Sequence, residues 1–322
     1  MKRRQFMKTS AMAAMAASLG LPASAEWKPR RPLNIIVPYK AGGGTDLYAR
    51  AVAAAAKDLL PVPIVIVNKP GAGGITGAIE AAGARPDGNT IMMHSTGSFL
   101  LRHMFKDTEV GPFDSFQTIA QIGNLKGSLV VPTNSPYNSV QDVVDALKAE
   151  PGKLRWAHNG RGATFHVTGQ TMLNTLGLEA VDVPFKGGAA SRAAIMGEQV
   201  DFGVIGIQQV TGFEEQLRVL ALVADERDEL QPDVPTFKEQ GFDVPLVSSP
   251  IILFAPNGVD PEIVAGMEAF FKEVSAVPEF GDVVRAKGSL PGFLSGADAE
   301  AGLRDMQKAT QPVIDDLKAN QG

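Results

Sequence analysis

Short runs of apolar and β-branched residues alternate with longer alanine-rich windows along most of the chain. Residues 33–37 are apolar at every position but Asn34, which predicts a strand buried on both faces. Residues 45–60 carry Leu47, Ala51, Ala54, Ala55 and Leu59 near one face of a 3.6-residue period, which predicts a helix. The alternation continues with strands at 63–67 and 90–94 and helices at 75–84 and from about 98. A second stretch opens at 129–131. It predicts strands at 154–157, 181–184, 201–205 and 217–223, and helices at 139–149, 165–176 and 189–196. Ser139 is the expected N-cap of its helix, and Pro151-Gly152 closes it. The C-terminal part begins with a strand at 251–255, followed by helices at 261–276 and 297–318. Strands alternating with helices imply an α/β fold with parallel or mixed sheets flanked by helices. A chain of 322 residues exceeds the usual size of one core, so two lobes are expected.

The first 25 residues break the pattern. Lys2, Arg3, Arg4 and Lys8 precede a mild apolar run, which ends at Pro22-Ala23-Ser24-Ala25. A basic start, a short apolar centre and a small-residue end are the parts of an export signal cleaved after Ala25. The run is too short to span a bilayer of about 30 Å. Arg3-Arg4-x-Phe6-Met7-Lys8 resembles the twin-arginine motif. No later run is long enough to insert stably in a membrane, so a periplasmic protein is expected. Loss of these four cations lowers the net charge from −5 to −9. That balance offers no electrostatic footprint for nucleic acid, so an anionic ligand must be held by local groups. Without cysteine there is no disulfide, no thiolate metal site and no thiol nucleophile.

One design recurs five times: a strand, a glycine-rich loop, then a helix. The loops are Ala41-Gly42-Gly43-Gly44-Thr45, Gly71-Ala72-Gly73-Gly74, Ser95-Thr96-Gly97, Asn159-Gly160-Arg161-Gly162-Ala163-Thr164 and Lys186-Gly187-Gly188. In open α/β sheets, ligands bind beyond the carboxyl ends of strands. Helix amino termini there present unpaired N–H groups to an anion. The spacing fits neither a dinucleotide fingerprint nor a Walker sequence. Serine-hydrolase elbows are absent, and the four histidines have no metal-ligand spacing, so no catalytic residue, metal or cofactor is expected.

The stretch from Arg31 to Asp46, Arg-Pro-Leu-Asn-Ile-Ile-Val-Pro-Tyr-Lys-Ala-Gly-Gly-Gly-Thr-Asp, resembles the opening of the tripartite tricarboxylate transporter receptors, or Bordetella-uptake-gene proteins. Asn68-Lys69-Pro70-Gly71-Ala72-Gly73-Gly74, Arg85-Pro86-Asp87-Gly88, Val183-Pro184-Phe185-Lys186-Gly187-Gly188 and Pro232-Asp233-Val234-Pro235-Thr236 continue the likeness in order. The resemblance implies a two-lobed, type II-like periplasmic binding protein with an inter-lobe cleft and a hinge. Lobe one would take residues 26–128 and 249–322, and lobe two 129–248, with crossings near 127–132 and 247–250. It implies a monomer that binds a small organic carboxylate and hands it to inner-membrane subunits of such a transporter. A sensory binding protein for a signalling partner would have the same lobes.

The resemblance implies ligand contacts in the loop of Gly43, Gly44, Thr45 and Asp46 and in that of Gly160, Arg161, Gly162, Thr164 and His166, and their place beyond strand ends makes Tyr39, Gly73, Gly74, Ser95 and Thr96 further candidates. Several of these have a second role open to them. Thr45 could cap its helix, Asp46 could orient water or complement the helix terminus, and Tyr39 could be core. His166 could support its loop, and Arg161 could lie on the surface instead of clamping a carboxylate. Arg161 and the segment Gly206-Ile207-Gln208-Gln209 depart from the family pattern, and that leaves the ligand open.

Overall fold

The computed structural model describes residues 27–105 and 108–319. Residues 1–25, where an export signal is expected, lie outside them. Two sheets carry the chain. The first is built from β1 (Leu33–Val37), β2 (Ile64–Asn68), β3 (Thr90–Ser95), β4 (Phe116–Asn124), β10 (Pro250–Pro256) and β11 (Pro291–Ser295). Its strand order is β11-β4-β10-β3-β1-β2. The second holds β5 (Gly127–Pro132), β6 (Arg155–His158), β7 (Val181–Pro184), β8 (Phe202–Gly206) and β9 (Leu217–Val223) in the order β7-β6-β8-β5-β9. β1 is parallel to β2 and β3, and β6 to β7 and β8. Each sheet also holds antiparallel pairs, β10 beside β3 in the first and β5 beside β8 in the second.

The helices are α1 (Gly44–Ala55), α2 (Ile75–Ala82), α3 (Thr96–Met104), α4 (Val140–Ala149), α5 (Thr164–Leu176), α6 (Gly188–Met196), α7 (Pro261–Ala276), α8 (Pro278–Arg285) and α9 (Gly296–Ala319). Local chemistry accounts for several boundaries. Ser139 caps α4 in a reciprocal box with Asp142, and Asp260 caps α7 ahead of Pro261. α1 ends at Ala55, short of residue 60, and the chain runs on in turns to Pro61, before which helical backbone is disfavoured. Leu59 and Leu60 still pack on the core, their amides turned back onto the Ala56 carbonyl. The periodicity did not reveal β4 or β11. Gln117, Thr118 and Gln121 interrupt the apolar run of β4, and β11 is a short edge strand that starts Pro-Gly. No described helix is long and apolar enough to cross a membrane.

The chain crosses between sheets at Leu125–Lys126 and again between Val223 and Pro250. Residues 127–132, expected at a crossing, are instead the wholly buried strand β5. The two crossings are tied together. Leu125 N donates to the Ser249 carbonyl at 3.0 Å, and Ser249 N to Asn124 Oδ1 at 3.1 Å. Such paired connections are where two lobes articulate.

Candidate functional site

The glycine-rich loops all leave the carboxyl ends of strands, and the helices after them share a property. None of α1, α2, α3, α5 and α6 is capped by a side chain of its own N-cap residue, unlike α4 and α7. Their first-turn N–H groups are therefore left to other partners. For α5 that partner comes from the other lobe. Thr164 N donates to Ser98 Oγ at 3.0 Å, and the two hydroxyls lie 3.0 Å apart. The amino termini of α3 and α5 thus meet face to face across the seam.

On the first lobe, Tyr39, Gly74 and Ser95 gather around His94. The Tyr39 hydroxyl is 3.2 Å from His94 Nδ1, and the Ser95 carbonyl is 2.9 Å from the same nitrogen, which sets the proton there. Burial lowers His94 to about 4 and raises the Tyr39 phenol far above its ordinary value, so both are neutral at pH 7. Gly74 must be glycine. It has φ +107°, and a Cβ would stand 2.8 Å from His94 Nε2. Ser95 Oγ is 2.6 Å from Ser249 Oγ, linking this wall to the second crossing.

The β1–α1 loop is rigid for a reason internal to it. The Asp46 carboxylate accepts from Gly42 N at 2.8 Å, from Arg50 Nε at 2.8 Å and from Asn68 Nδ2 at 2.9 Å. Burial alone would raise its pKa, but these donors more than offset it and hold the carboxyl below the ordinary range. The cap residue of α1 is Gly43, so Thr45 lies inside the first turn and is not the cap. Gly44 faces the second lobe, where a Cβ on it would be 3.4 Å from Gln208 Nε2. Thr96 is turned inward, its hydroxyl donating to the His94 carbonyl.

On the second lobe, Gly160, Arg161, Gly162 and His166 join a buried aromatic stack. His166 is parallel to Trp156 with centroids 6.0 Å apart and lies 4.5 Å from His158. The Nδ1 atoms of His158 and His166 accept from Gly160 N and Gly162 N, each at 3.2 Å, so both rings brace the loop. Burial lowers both, His166 to about 4. Arg161 reaches Asp182 Oδ1 at 3.0 Å, with its side chain 64% exposed. His158, His166 and Asp182 offer ligand atoms within 4.8 Å of one another, a grouping that sequence spacing did not reveal. It suits a hydrogen-bonded His158–Asp182 pair packed on the His166 ring better than a metal. With both Nδ1 atoms accepting, the protons sit on Nε2, the nitrogens a metal would need, and Asp182 also serves Arg161.

The structure therefore brings Tyr39, Gly74 and Ser95 together around His94, sets Gly73 against Arg102, and brings Thr164 to Ser98 across the seam. Asp46 and Thr96 are occupied within their own lobe. Sequence reasoning missed Ser98, Arg102, Asp182 and Ser249. For the first two a signal existed: Ser98, Arg102 and Phe105 fall on one helical face at i, i+4 and i+7. A groove of about 740 Å³ lies elsewhere, at the amino-terminal ends of β1 and β3, and Arg31 and Asp87 pair along it.

Residues 48–318 match the family model described as tripartite tricarboxylate transporter family receptor. The chain is 31% identical, over 98% of both chains, to the UPF0065 protein in gbd 5'region of Cupriavidus necator. The fold is similar to periplasmic binding protein BugD, with TM-score 0.80 and 26% identity over 89% of this chain and 98% of that one. It is similar also to MatC of Rhodopseudomonas palustris, solved with bound malate, with TM-score 0.79 and 26% identity over 89% and 99%.

Proposed function

The chain belongs to the tripartite tricarboxylate transporter receptors, a family of periplasmic solute-binding proteins, and we propose that it captures a small organic carboxylate between its lobes. One observation carries the reading: helix amino termini that lack a cap from their own N-cap residues come together from both lobes at one seam, where the Ser98 and Thr164 hydroxyls meet. An acidic protein holds an anion this way without a basic field. Hydrogen bonds to a charged group contribute roughly 1.5–3 kcal/mol each and helix termini about 0.3–1 kcal/mol each. A few of each reach the ~8 kcal/mol of a micromolar complex. The loop of Gly43, Gly44 and Thr45 opens α1 at one end, and the Thr164 hydroxyl is offered at the other, while Gly160 and Gly162 keep their N–H groups on His158 and His166 and shape that loop. Tyr39 and Ser95 form the wall, and His166 steadies the second loop. The malate bound to MatC supports a carboxylate as the ligand class. Membership of the family supports delivery to membrane subunits of a tripartite transporter.

The test is a thermal-shift panel on ligand-stripped protein. A cognate carboxylate at a hundred times its Kd adds ~2.7 kcal/mol to the folded state and raises the melting temperature. A panel of mono-, di- and tricarboxylates and aromatic acids that leaves the melting temperature unmoved removes the proposal.

Export is proposed through the twin-arginine route. Exchanging Arg3 and Arg4 for lysine is expected to leave the precursor in the cytoplasm. Undiminished periplasmic protein after that exchange assigns export to the general secretory route instead.

A further inference from the structure

Two neighbouring strand ends of the second lobe carry side-chain amides that bond to nothing. Asn159 follows β6 and opens the loop that leads to Thr164, and Gln208 follows β8, the strand beside β6 in the sheet. Asn159 Oδ1 and Gln208 Oε1 are both buried without a hydrogen-bond partner, and neither side chain is bonded through its nitrogen among the described residues. Packing fixes Gln208 in place. A Cβ on Gly206 would fall 2.5 Å from both its Oε1 and its Nε2, so the amide lies against the backbone of that glycine. The Ile207 N–H donates to the Lys126 carbonyl at 3.0 Å, which pins this turn to the first crossing. Gln208 Nε2 lies 3.4 Å from where a Cβ of Gly44 would stand, at the amino terminus of α1. Gln208 thus reaches from the second lobe to the first-lobe loop proposed to receive the ligand carboxylate.

Buried polar atoms without a partner are rare in folded proteins, and two at adjacent strand ends beside a lobe seam await a partner from outside the chain. Their chemistry defines that partner. A carboxamide holds an acceptor oxygen and two N–H donors whichever way it is turned, so its full complement both donates and accepts. A carboxylate only accepts, and it leaves both side-chain oxygens unpaired. Another amide satisfies both halves. The charged groups beside these loops are engaged already: Arg161 with Asp182, and Arg192 with the Gln209 carbonyl and the face of the Phe213 ring. Lys186, on the next loop, is exposed, where a charge adds little to an ion pair.

We infer that Asn159 and Gln208 are specificity-determining residues that receive an uncharged amide group of the ligand, so that the preferred carboxylate is a monoamide and not a diacid. The carboxylate end lies at the α1 loop, and the amide end pairs with the two side chains of the second lobe. The inference rests on the carboxylate-receptor reading and adds to it the chemistry of the ligand's second group.

Calorimetric titration of ligand-stripped protein tests it with two matched sets, each an acid whose far end is an amide, a methyl ketone or a second carboxylate. Succinamate, levulinate and succinate form the first set; glutaramate, its methyl-ketone analogue and glutarate form the second. The wild type is expected to bind the amide of one set about 10- to 100-fold tighter than its ketone and its diacid, because a group without N–H donors leaves the buried oxygens unpaired. Gln208→Met and Asn159→Leu keep the bulk and lose the side-chain amide, and each should bring the amide ligand to within about threefold of the ketone. A merely structural role would instead lower the melting temperature of both unliganded variants and weaken all three acids of a set alike, and that result overturns the inference. Retention of the preference in both variants overturns it too. A wild type that binds the diacid or the ketone as tightly as the amide shows the inference to be wrong and leaves the carboxylate receptor standing. Binding of none of these acids removes the inference alone, since a thermal shift with any other carboxylate still supports the receptor.

Discussion

Gly97→Ala is expected to lower carboxylate affinity by about 5- to 150-fold while the protein still folds. Gly97 sits in the first turn of α3, where the two lobes come closest. A Cβ there would stand 2.4 Å from the Ser248 carbonyl and 2.7 Å from Thr164 Oγ1. The first contact is backbone and cannot swing away, so α3 must retreat from the second crossing and from the amino terminus of α5. Overpacking of this kind costs about 1–3 kcal/mol. Falling on the closed arrangement, that energy is the quoted loss of affinity. Gly302→Ala is the control, because its Cβ would meet nothing within 4 Å. Calorimetry on both variants decides the matter: a Gly97→Ala protein that binds like the Gly302→Ala control would show that the seam is not where the ligand is enclosed.

The largest stability effect is expected at Trp156. Its ring is wholly buried on β6, stacked between His166 and Phe202, with centroids 6.0 Å and 6.4 Å away. Trp156→Ala leaves a cavity under the loop that carries Arg161 and should destabilise by about 3–5 kcal/mol. Trp156→Phe should cost much less, since the indole Nε1 is buried without a hydrogen-bond partner and its loss removes that penalty. The ring also dictates the residue above it. A Cβ on Gly169 of α5 would stand 2.3 Å from it, so Gly169→Ala alone destabilises by overpacking. In the Trp156→Ala background the same methyl fills space and aids the helix. Urea unfolding of the double-mutant cycle should therefore give a double variant no less stable than Trp156→Ala alone. Additive losses would mean that the ring and Gly169 do not share this contact.

Much of the fold was legible because it rests on near-neighbour rules. Alternating strand and helix windows predicted an α/β chain, Ser139 announced its cap, and the glycine-rich loops fell at strand ends. Motif order along residues 31–236 pointed to the receptor family that the model match over 48–318 establishes. What was missed is also physical. β4 mixes glutamine and threonine into an apolar run because it lies beside β10 and β11, partners that only the assembled sheet supplies.

Local sequence by itself determined most of the elements, the glycines that permit close approach, and the placing of helix amino termini at strand carboxyl ends, because these follow from backbone dihedrals and short periods. Only tertiary structure decided which polar groups remain for a ligand. Asp46 is spent on Gly42, Arg50 and Asn68, and Arg161 on Asp182. Ser98 and Arg102 reach residues 66 and 59 positions away in the other lobe. A side chain's partner is set by strand order and by how closely two lobes pack, and neither is encoded in the spacing around that residue.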